Sequence, residues 1–139
     1  MRCLFTFWFL VALVGCDSPA SRLSQPPDIP ERAHWPALDG LTLQREGMEF
    51  LIRSVGYGEF AAARSHLTGE PFGQLVSAFA AEAIPGKYAS AEREVLKSQA
   101  VESLHKLISA AREGAPDEEI KTGTYALTEA LQELQKMSE

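Results

Sequence analysis

The chain has 139 residues, of which 45% are hydrophobic and 23% are charged, and its formal net charge at pH 7 is −6. An acidic chain without clusters of basic residues is a poor candidate for binding nucleic acid or for electrostatic adhesion to anionic lipid headgroups. Its two cysteines, Cys3 and Cys16, fall within the first sixteen residues. The remainder therefore has no thiol for a disulfide, a thiolate metal site or a cysteine nucleophile.

The amino-terminal segment has the features of a secretory signal. Arg2 provides a positive charge, and an apolar stretch from Leu4 to Val14 follows, interrupted only by Thr6. This stretch is shorter than the roughly 20 residues that a transmembrane helix needs, and its length is typical of the apolar region of a signal peptide. It ends in Leu13-Val14-Gly15-Cys16 instead of the small residues of an ordinary cleavage site.

These last four residues resemble the lipobox of bacterial lipoproteins. The resemblance implies that the thiol of Cys16 receives a diacylglyceryl group, that residues 1–15 are removed, and that the amine of Cys16 is acylated as well. Two or three acyl chains anchor a protein stably, whereas one chain holds it only reversibly. Asp17 resembles the signal that retains enterobacterial lipoproteins in the inner membrane. The resemblance thus predicts a protein that is lipid-anchored to the bacterial cell membrane, with its domain facing the periplasm or the exterior.

A proline-rich linker is predicted for residues 16–36, because five of the eight prolines fall there and few large apolar residues separate them. Such segments favour extended conformations and span about 3.1 Å per residue. Removal of residues 1–15 takes Arg2 and no acidic residue, so the net charge of the mature chain is −7. Residues 37–139 are predicted to form one domain, since about a hundred residues is a common size for a single core.

The domain begins with two predicted helices. The first runs from Leu41 to Val55 and is ended by Gly56-Tyr57-Gly58, and the second is a short helix over residues 59–67. Leu43 and Phe50 lie nearly opposite the main apolar stripe of the first helix, which predicts that this helix is covered on two sides. The main stripes consist of Leu41, Met48, Leu51, Ile52 and Val55, and of Phe60, Ala63 and Leu67.

Three longer helices are predicted to follow. Glu70-Pro71 opens the third, since proline suits the first turn of a helix, and Ile84-Pro85-Gly86 closes it. Ser90 is the predicted N-cap of a fourth helix that ends near Glu113, and a fifth starts at Asp117 after a turn over residues 114–116. Their apolar stripes are Phe72, Leu75, Val76, Phe79 and Ala83; Leu96, Ala100, Leu104, Leu107, Ile108 and Ala111; and Ile120, Leu127, Leu131 and Leu134.

No alternating β-branched run indicates a strand. The predicted fold is therefore all-α, a four- or five-helix bundle or stacked helical hairpins after a proline-rich tether. The stretch GYGEFAAARSHL resembles the turn and second helix of a tetratricopeptide repeat, with Gly58, Phe60 and Ala63 at matching places. A shift of 34 residues from Gly58 falls on Glu92 without a second copy, and arrays need about three repeats. We interpret the stretch as a generic helical hairpin.

Candidate cofactor ligands are few. Met48 and His105 suggest a haem hypothesis, because some four-helix cytochromes use methionine and histidine as axial ligands. No CxxCH motif accompanies them, and a methionine that fills the core and a half-exposed histidine explain the same residues. Glu102 and His105 have the Glu-x-x-His spacing of di-iron bundles, but those need two copies and only one is present. We predict no metal-binding or cofactor-binding residue.

Catalytic patterns are also missing from the sequence. Ser65 and His66 are adjacent in a helix and point in different directions. No nucleophile elbow, phosphate-binding loop or dinucleotide fingerprint occurs. The prediction is a protein that is not an enzyme and has no catalytic residue.

The predicted function is a non-enzymatic, membrane-anchored helical module that presents a binding surface to an envelope protein. The expected contact surfaces are the hairpin over residues 59–79, where Phe72 lies near a flexible entry, and the last helix. A haem- or metal-binding bundle that uses Met48 and His105 is the alternative. A third hypothesis is an immunity or entry-exclusion lipoprotein, which would also be an anchored helical module that binds a protein. Trp35 is expected either to fasten the linker to the bundle or to contact a partner.

Overall fold

The computed structural model describes residues 34–136, which form an all-α fold. Over that range no strand occurs, so the predicted fold class is confirmed. Residues 1–33, with the predicted signal peptide, Cys16 and most of the linker, lie outside the described residues, as do residues 137–139. The helices are α1 (Pro36–Leu43), α2 (Met48–Gly56), α3 (Phe60–Leu67), α4 (Glu70–Ala81), α5 (Ala91–Glu113) and α6 (Asp117–Lys136). Within 34–136, none of these helices has the length and apolarity that crossing a membrane requires.

The predicted helix from residue 41 to 55 is wrong as a single element, because the chain breaks between α1 and α2. The backbone N–H of Gly47 donates to the carbonyl oxygen of Gln44 at 2.9 Å and closes a turn. A Cβ on Gly47 would lie 2.1 Å from the carbonyl oxygen of Leu41, so only glycine fits where the turn passes α1. The predicted second covered face is not formed either, since Leu43 is 64% exposed and Phe50 is 36% exposed.

The remaining helices begin and end near the predicted residues. The hydroxyl of Ser90 accepts the backbone N–H of Arg93 at 3.2 Å, which confirms the predicted N-cap of α5. Gly114 then ends α5 with φ of 73°, in the left-handed region that glycine adopts at least cost. Helix α4 ends at Ala81, earlier than predicted, so Ala83 lies outside the helix and is exposed.

A single hydrophobic core lies between the helices. Helices α5 and α6 pack along each other, α2 packs on α3 and α6, and α4 packs on α1 and α5. The predicted stripes supply most of the core, since their buried members are Leu41, Met48, Leu51, Val55, Ala63, Leu67, Phe72, Val76, Phe79, Ala100, Leu104, Leu107, Ile108, Ala111, Ile120, Leu127, Leu131 and Leu134.

Trp35 belongs to this core. Its side chain is 1% exposed, and its ring centroid lies 5.9 Å from that of Phe79. Pro36, the next residue, is the first of α1. The two residues that the sequence places at the end of the linker are therefore part of the folded domain, and Trp35 contacts the bundle instead of solvent.

Polar contacts fasten the carboxyl end of α4 to its neighbours. The ammonium of Lys97, which is 9% exposed, donates to the carbonyl oxygens of Ala80 and Glu82. The Glu82 carboxylate in turn accepts the backbone N–H of Ala37 at 2.8 Å. These bonds satisfy carbonyl groups at the end of α4 and an N–H group at the start of α1, which have no partner within their own helices. The same segment thereby joins α1, α4 and α5.

Candidate functional site

An open groove of about 370 Å³ lies where the α1–α2 connection and α2 meet the α3–α4 hairpin. Most of its surface is apolar and aromatic. We call it the His66 groove, and its main lining residues are Glu46, Phe50, Ser65, His66, Pro71 and Phe72. The groove is near the small end of ligand pockets, which typically measure about 300–1,000 Å³, and so suits one or two side chains.

The short connection between α3 and α4 creates one wall of the groove. Helix α3 ends at Leu67 and α4 begins at Glu70, so the last turn of α3 lies against the first turn of α4. The ring centroid of His66 lies 5.1 Å from that of Phe72, which is fully buried and forms the floor. Pro71 fits the first turn of α4 because a missing N–H there needs no partner.

His66 joins this hairpin to the α1–α2 connection. Its Nε2 lies 2.9 Å from the carbonyl oxygen of Gly47, and its ring centroid lies 4.7 Å from that of Phe50. Because a carbonyl can only accept, Nε2 carries a hydrogen and donates it, which leaves Nδ1 as the ring nitrogen that can act as an acceptor. Within residues 34–136, no side chain or backbone group is bonded to Nδ1. That nitrogen is available to a hydrogen-bond donor from a ligand.

Arg64 fixes the other side of α3. Its guanidinium donates to the carbonyl oxygen of Ala115 and to the Asp117 carboxylate, both at 2.6 Å. The Arg64 side chain is 25% exposed and the Asp117 side chain is 59% exposed, so solvent partly screens this ion pair. His66 thus links α3 to the α1–α2 connection, and Arg64 links it to the start of α6. These contacts fix the position of α3, which lines the groove.

The rim of the groove is negatively charged. Glu46 is exposed and has no ion pair with any residue of the described range. Glu49, three residues further along, is neutralised by Arg53, whose Nη2 lies 2.6 Å away. Among the described residues that line the groove, Glu46 is the only carboxylate, and none is a lysine or an arginine.

The groove lies largely on the hairpin that the sequence predicts as a contact surface, but sequence reasoning missed part of it. Phe72, which the sequence places at the entry of the hairpin, is fully buried. Glu46 and Phe50 come from outside the hairpin and were not predicted. A signal for Phe50 existed, since it is a large apolar residue off the core stripe of its helix. No local pattern points to Glu46.

The last helix, the other predicted contact surface, takes part in other depressions. A polar one of about 670 Å³ lies mostly on α5 and includes Glu119 of α6. Two smaller ones, of about 230 Å³ beside Gly123 and about 180 Å³ beside Leu43 and Met48, are each partly lined by α6. Tyr125 of α6 is 41% exposed. Neither of the two smaller depressions has the aromatic walls of the His66 groove.

Met48 and His105 are not brought together. Met48 is 2% exposed in the core, next to the carboxyl half of α6. His105 is exposed on α5 and lines a separate polar depression with Ser109 and Glu113. Axial ligands must meet at one iron. The two side chains line different depressions and do not form such a pair.

The other candidate ligands also remain separate. Glu102 pairs with Lys106 at 2.7 Å instead of with His105, and the hydrogen bond and positive charge of Lys106 hold the pKa of Glu102 below its ordinary value. His34 has a 79% exposed side chain, and its Nδ1 lies 3.3 Å from the Asp39 carboxylate. Over residues 34–136, no group of three or more histidine, cysteine or acidic residues could hold a metal ion.

Ser65 and His66 both line the groove, but no hydrogen bond joins them. The Nε2 of His66 is bonded to Gly47 instead. A serine nucleophile needs a base within hydrogen-bond reach. The pair therefore contributes to a binding surface, in which Nδ1 of His66 has no partner among residues 34–136, and its geometry does not activate Ser65 as a nucleophile.

Comparisons of the whole chain with protein-family models, with curated proteins and with solved structures found no match.

Proposed function

We propose that this protein is a non-enzymatic bacterial lipoprotein, anchored through acylated Cys16, whose helical domain binds another protein of the cell envelope. The observation that carries the proposal is the sequence Leu13-Val14-Gly15-Cys16 directly after a charged start and an apolar stretch. Acyl chains on Cys16 would hold the domain at the membrane through burial of their methylenes, at about 0.8 kcal/mol each. The domain faces the periplasm or the exterior in this proposal, and Asp17 favours the inner membrane.

The binding part of the proposal is supported by the His66 groove. It is an open, aromatic-walled groove, and over residues 34–136 the Nδ1 of His66 has no hydrogen-bond partner and the carboxylate of Glu46 has no ion pair. Protein interfaces place apolar anchors in such pockets and surround them with a polar rim. The partner proposed is therefore a protein, and no nucleic acid is expected.

Metabolic labelling with an alkyne analogue of palmitate tests the anchor. The wild-type chain, expressed in a bacterial host, should carry the label and sediment with membranes. The Cys16→Ser variant should be unlabelled and should keep residues 1–15, because the signal peptidase of lipoproteins acts on the acylated cysteine. Cys3→Ser is the matched control and should be labelled like the wild type. Equal labelling of the wild type and Cys16→Ser would refute the proposal.

A further inference from the structure

We infer that the His66 groove recognises a protein segment in which an apolar side chain is followed directly by a lysine or an arginine. The inference deepens the proposed function and depends on it, since it names the chemistry of the partner that the anchored domain would bind. It is drawn from the volume of the groove, its aromatic walls, the acceptor nitrogen of His66 and the carboxylate of Glu46 at the rim.

The aromatic walls of the groove indicate that the bound segment contains an apolar side chain. Phe50, which is 36% exposed, and the ring of His66 lie 4.7 Å apart, and buried Phe72 closes the floor behind them. Phe50 is a large apolar side chain left partly in water on the outer face of α2. An aliphatic side chain that enters the groove would cover this ring and remove apolar surface from water, which favours binding.

The free nitrogen of His66 supplies direction. Because Nε2 is bonded to Gly47, only Nδ1 can accept a backbone N–H from the segment. A hydrogen bond at this nitrogen would fix the direction in which the segment crosses the groove. The residue after the apolar one would then lie at the rim. Recognition by one apolar pocket and one backbone hydrogen bond is a common way in which extended segments are bound.

The basic part is assigned by the charge of the rim. Glu46 lines the groove and has no ion pair in the part of the chain that the structure describes, and no lysine or arginine lines the groove. A lysine or arginine next to the apolar side chain would compensate the charge of Glu46, whereas an acidic residue would be repelled. A second copy of this chain is disfavoured as the partner, because the mature chain carries a net charge of −7. Anionic lipid headgroups are disfavoured for the same reason.

The test uses the full acylated protein in lipid nanodiscs and two probes, the blocked dipeptides acetyl-leucyl-arginine amide and acetyl-leucyl-glutamate amide. Binding is measured by NMR from the ring signals of His66 and Phe50. Because exposed ion pairs are weak, we expect the arginine peptide to bind about two- to fivefold more tightly than the glutamate peptide. Glu46→Gln should reduce this preference, and Phe50→Ala should weaken both peptides.

Glu129→Gln is the matched control, because it removes an exposed carboxylate of α6 that is not among the residues lining the groove. It should bind both peptides like the wild type. Absence of shifts at His66 up to millimolar peptide, equal affinities for both peptides, or an unchanged preference in Glu46→Gln would each overturn the inference. Displacement of the peptides by a short-chain phosphatidylglycerol would assign the groove to lipid and would also overturn it. The labelling test of Cys16 does not depend on any of these results, so the two proposals fail separately.

Discussion

Trp35 is the residue whose replacement tests the fold most directly, because it was expected either to fasten the linker or to contact a partner. It is 1% exposed and lies against Phe79, so Trp35→Ala leaves a cavity in the core. Replacement of a buried tryptophan by alanine costs about 3–5 kcal/mol of the free energy of unfolding. The indole Nε1 has no hydrogen-bond partner among the described residues. Since burial of an unpaired donor costs about 1–3 kcal/mol, we expect the loss near the lower end, about 3 kcal/mol.

The measurement is urea unfolding of the chain, followed by circular dichroism. With a slope of about 1.5 kcal/mol per M, which is usual for a small domain, a loss of about 3 kcal/mol lowers the midpoint by about 2 M and leaves the slope unchanged. Trp35→Phe is the matched control, because it keeps an aromatic ring beside Phe79 and removes only the unpaired N–H together with part of the ring volume. These two effects on the free energy of unfolding oppose each other, and we expect that free energy to change by less than about 1 kcal/mol.

An unchanged midpoint in Trp35→Ala would refute the reasoning, because no buried tryptophan can be removed without loss of packing. A loss of partner binding with unchanged stability would instead favour the reading of Trp35 as a partner contact. A loss in Trp35→Phe as large as in Trp35→Ala would show that the indole N–H has a partner and that its assignment as unpaired is wrong.

Further predictions concern the break before α2 and a surface ion pair. Gly47→Ala should lower the urea midpoint strongly, because the new Cβ would lie 2.1 Å from the backbone oxygen of Leu41. Gly73 lies inside α4 with open space around the position of a Cβ. Gly73→Ala should therefore raise the free energy of unfolding by about 0.5–1 kcal/mol. The two substitutions should change the free energy of unfolding in opposite directions, and an equal decrease in both variants would contradict the prediction. Lys106→Ala should raise the pKa of Glu102 toward its ordinary value, as measured by carboxyl NMR titration, because the hydrogen bond that lowers it is lost. Since the pair favours the ionised carboxylate, its contribution to stability is present above the ordinary pKa of glutamate and is lost as the pH falls through the lowered folded value.

The all-α fold could be predicted because the core follows local periodicity. Each predicted stripe supplies buried residues at spacings of three and four, and Ser90 and Gly114 mark the ends of α5 with side-chain and backbone preferences that are visible in the sequence. The break at residues 44–47 could not be predicted in this way, because Leu41 and Met48 are seven residues apart and keep the same phase across it. Only the close approach of Gly47 to the backbone of α1 reveals why the helix stops, and this contact exists only once the turn has formed.

The same break explains why the groove was only partly foreseen. The hairpin of α3 and α4 is read from the sequence, but the opposite wall depends on where the α1–α2 connection returns, and that position is fixed by the bond between His66 and Gly47. His66 therefore has two roles, since it holds the connection with Nε2 and offers Nδ1 to a ligand. Replacement of His66 would disturb both roles and could not separate binding from folding. The Glu46 side chain lies on the rim without a hydrogen bond or ion pair in residues 34–136, so its charge can be removed without breaking a polar contact of the groove. Its neutralisation is thus the change that distinguishes a groove built for a basic segment from an apolar depression without charge selectivity.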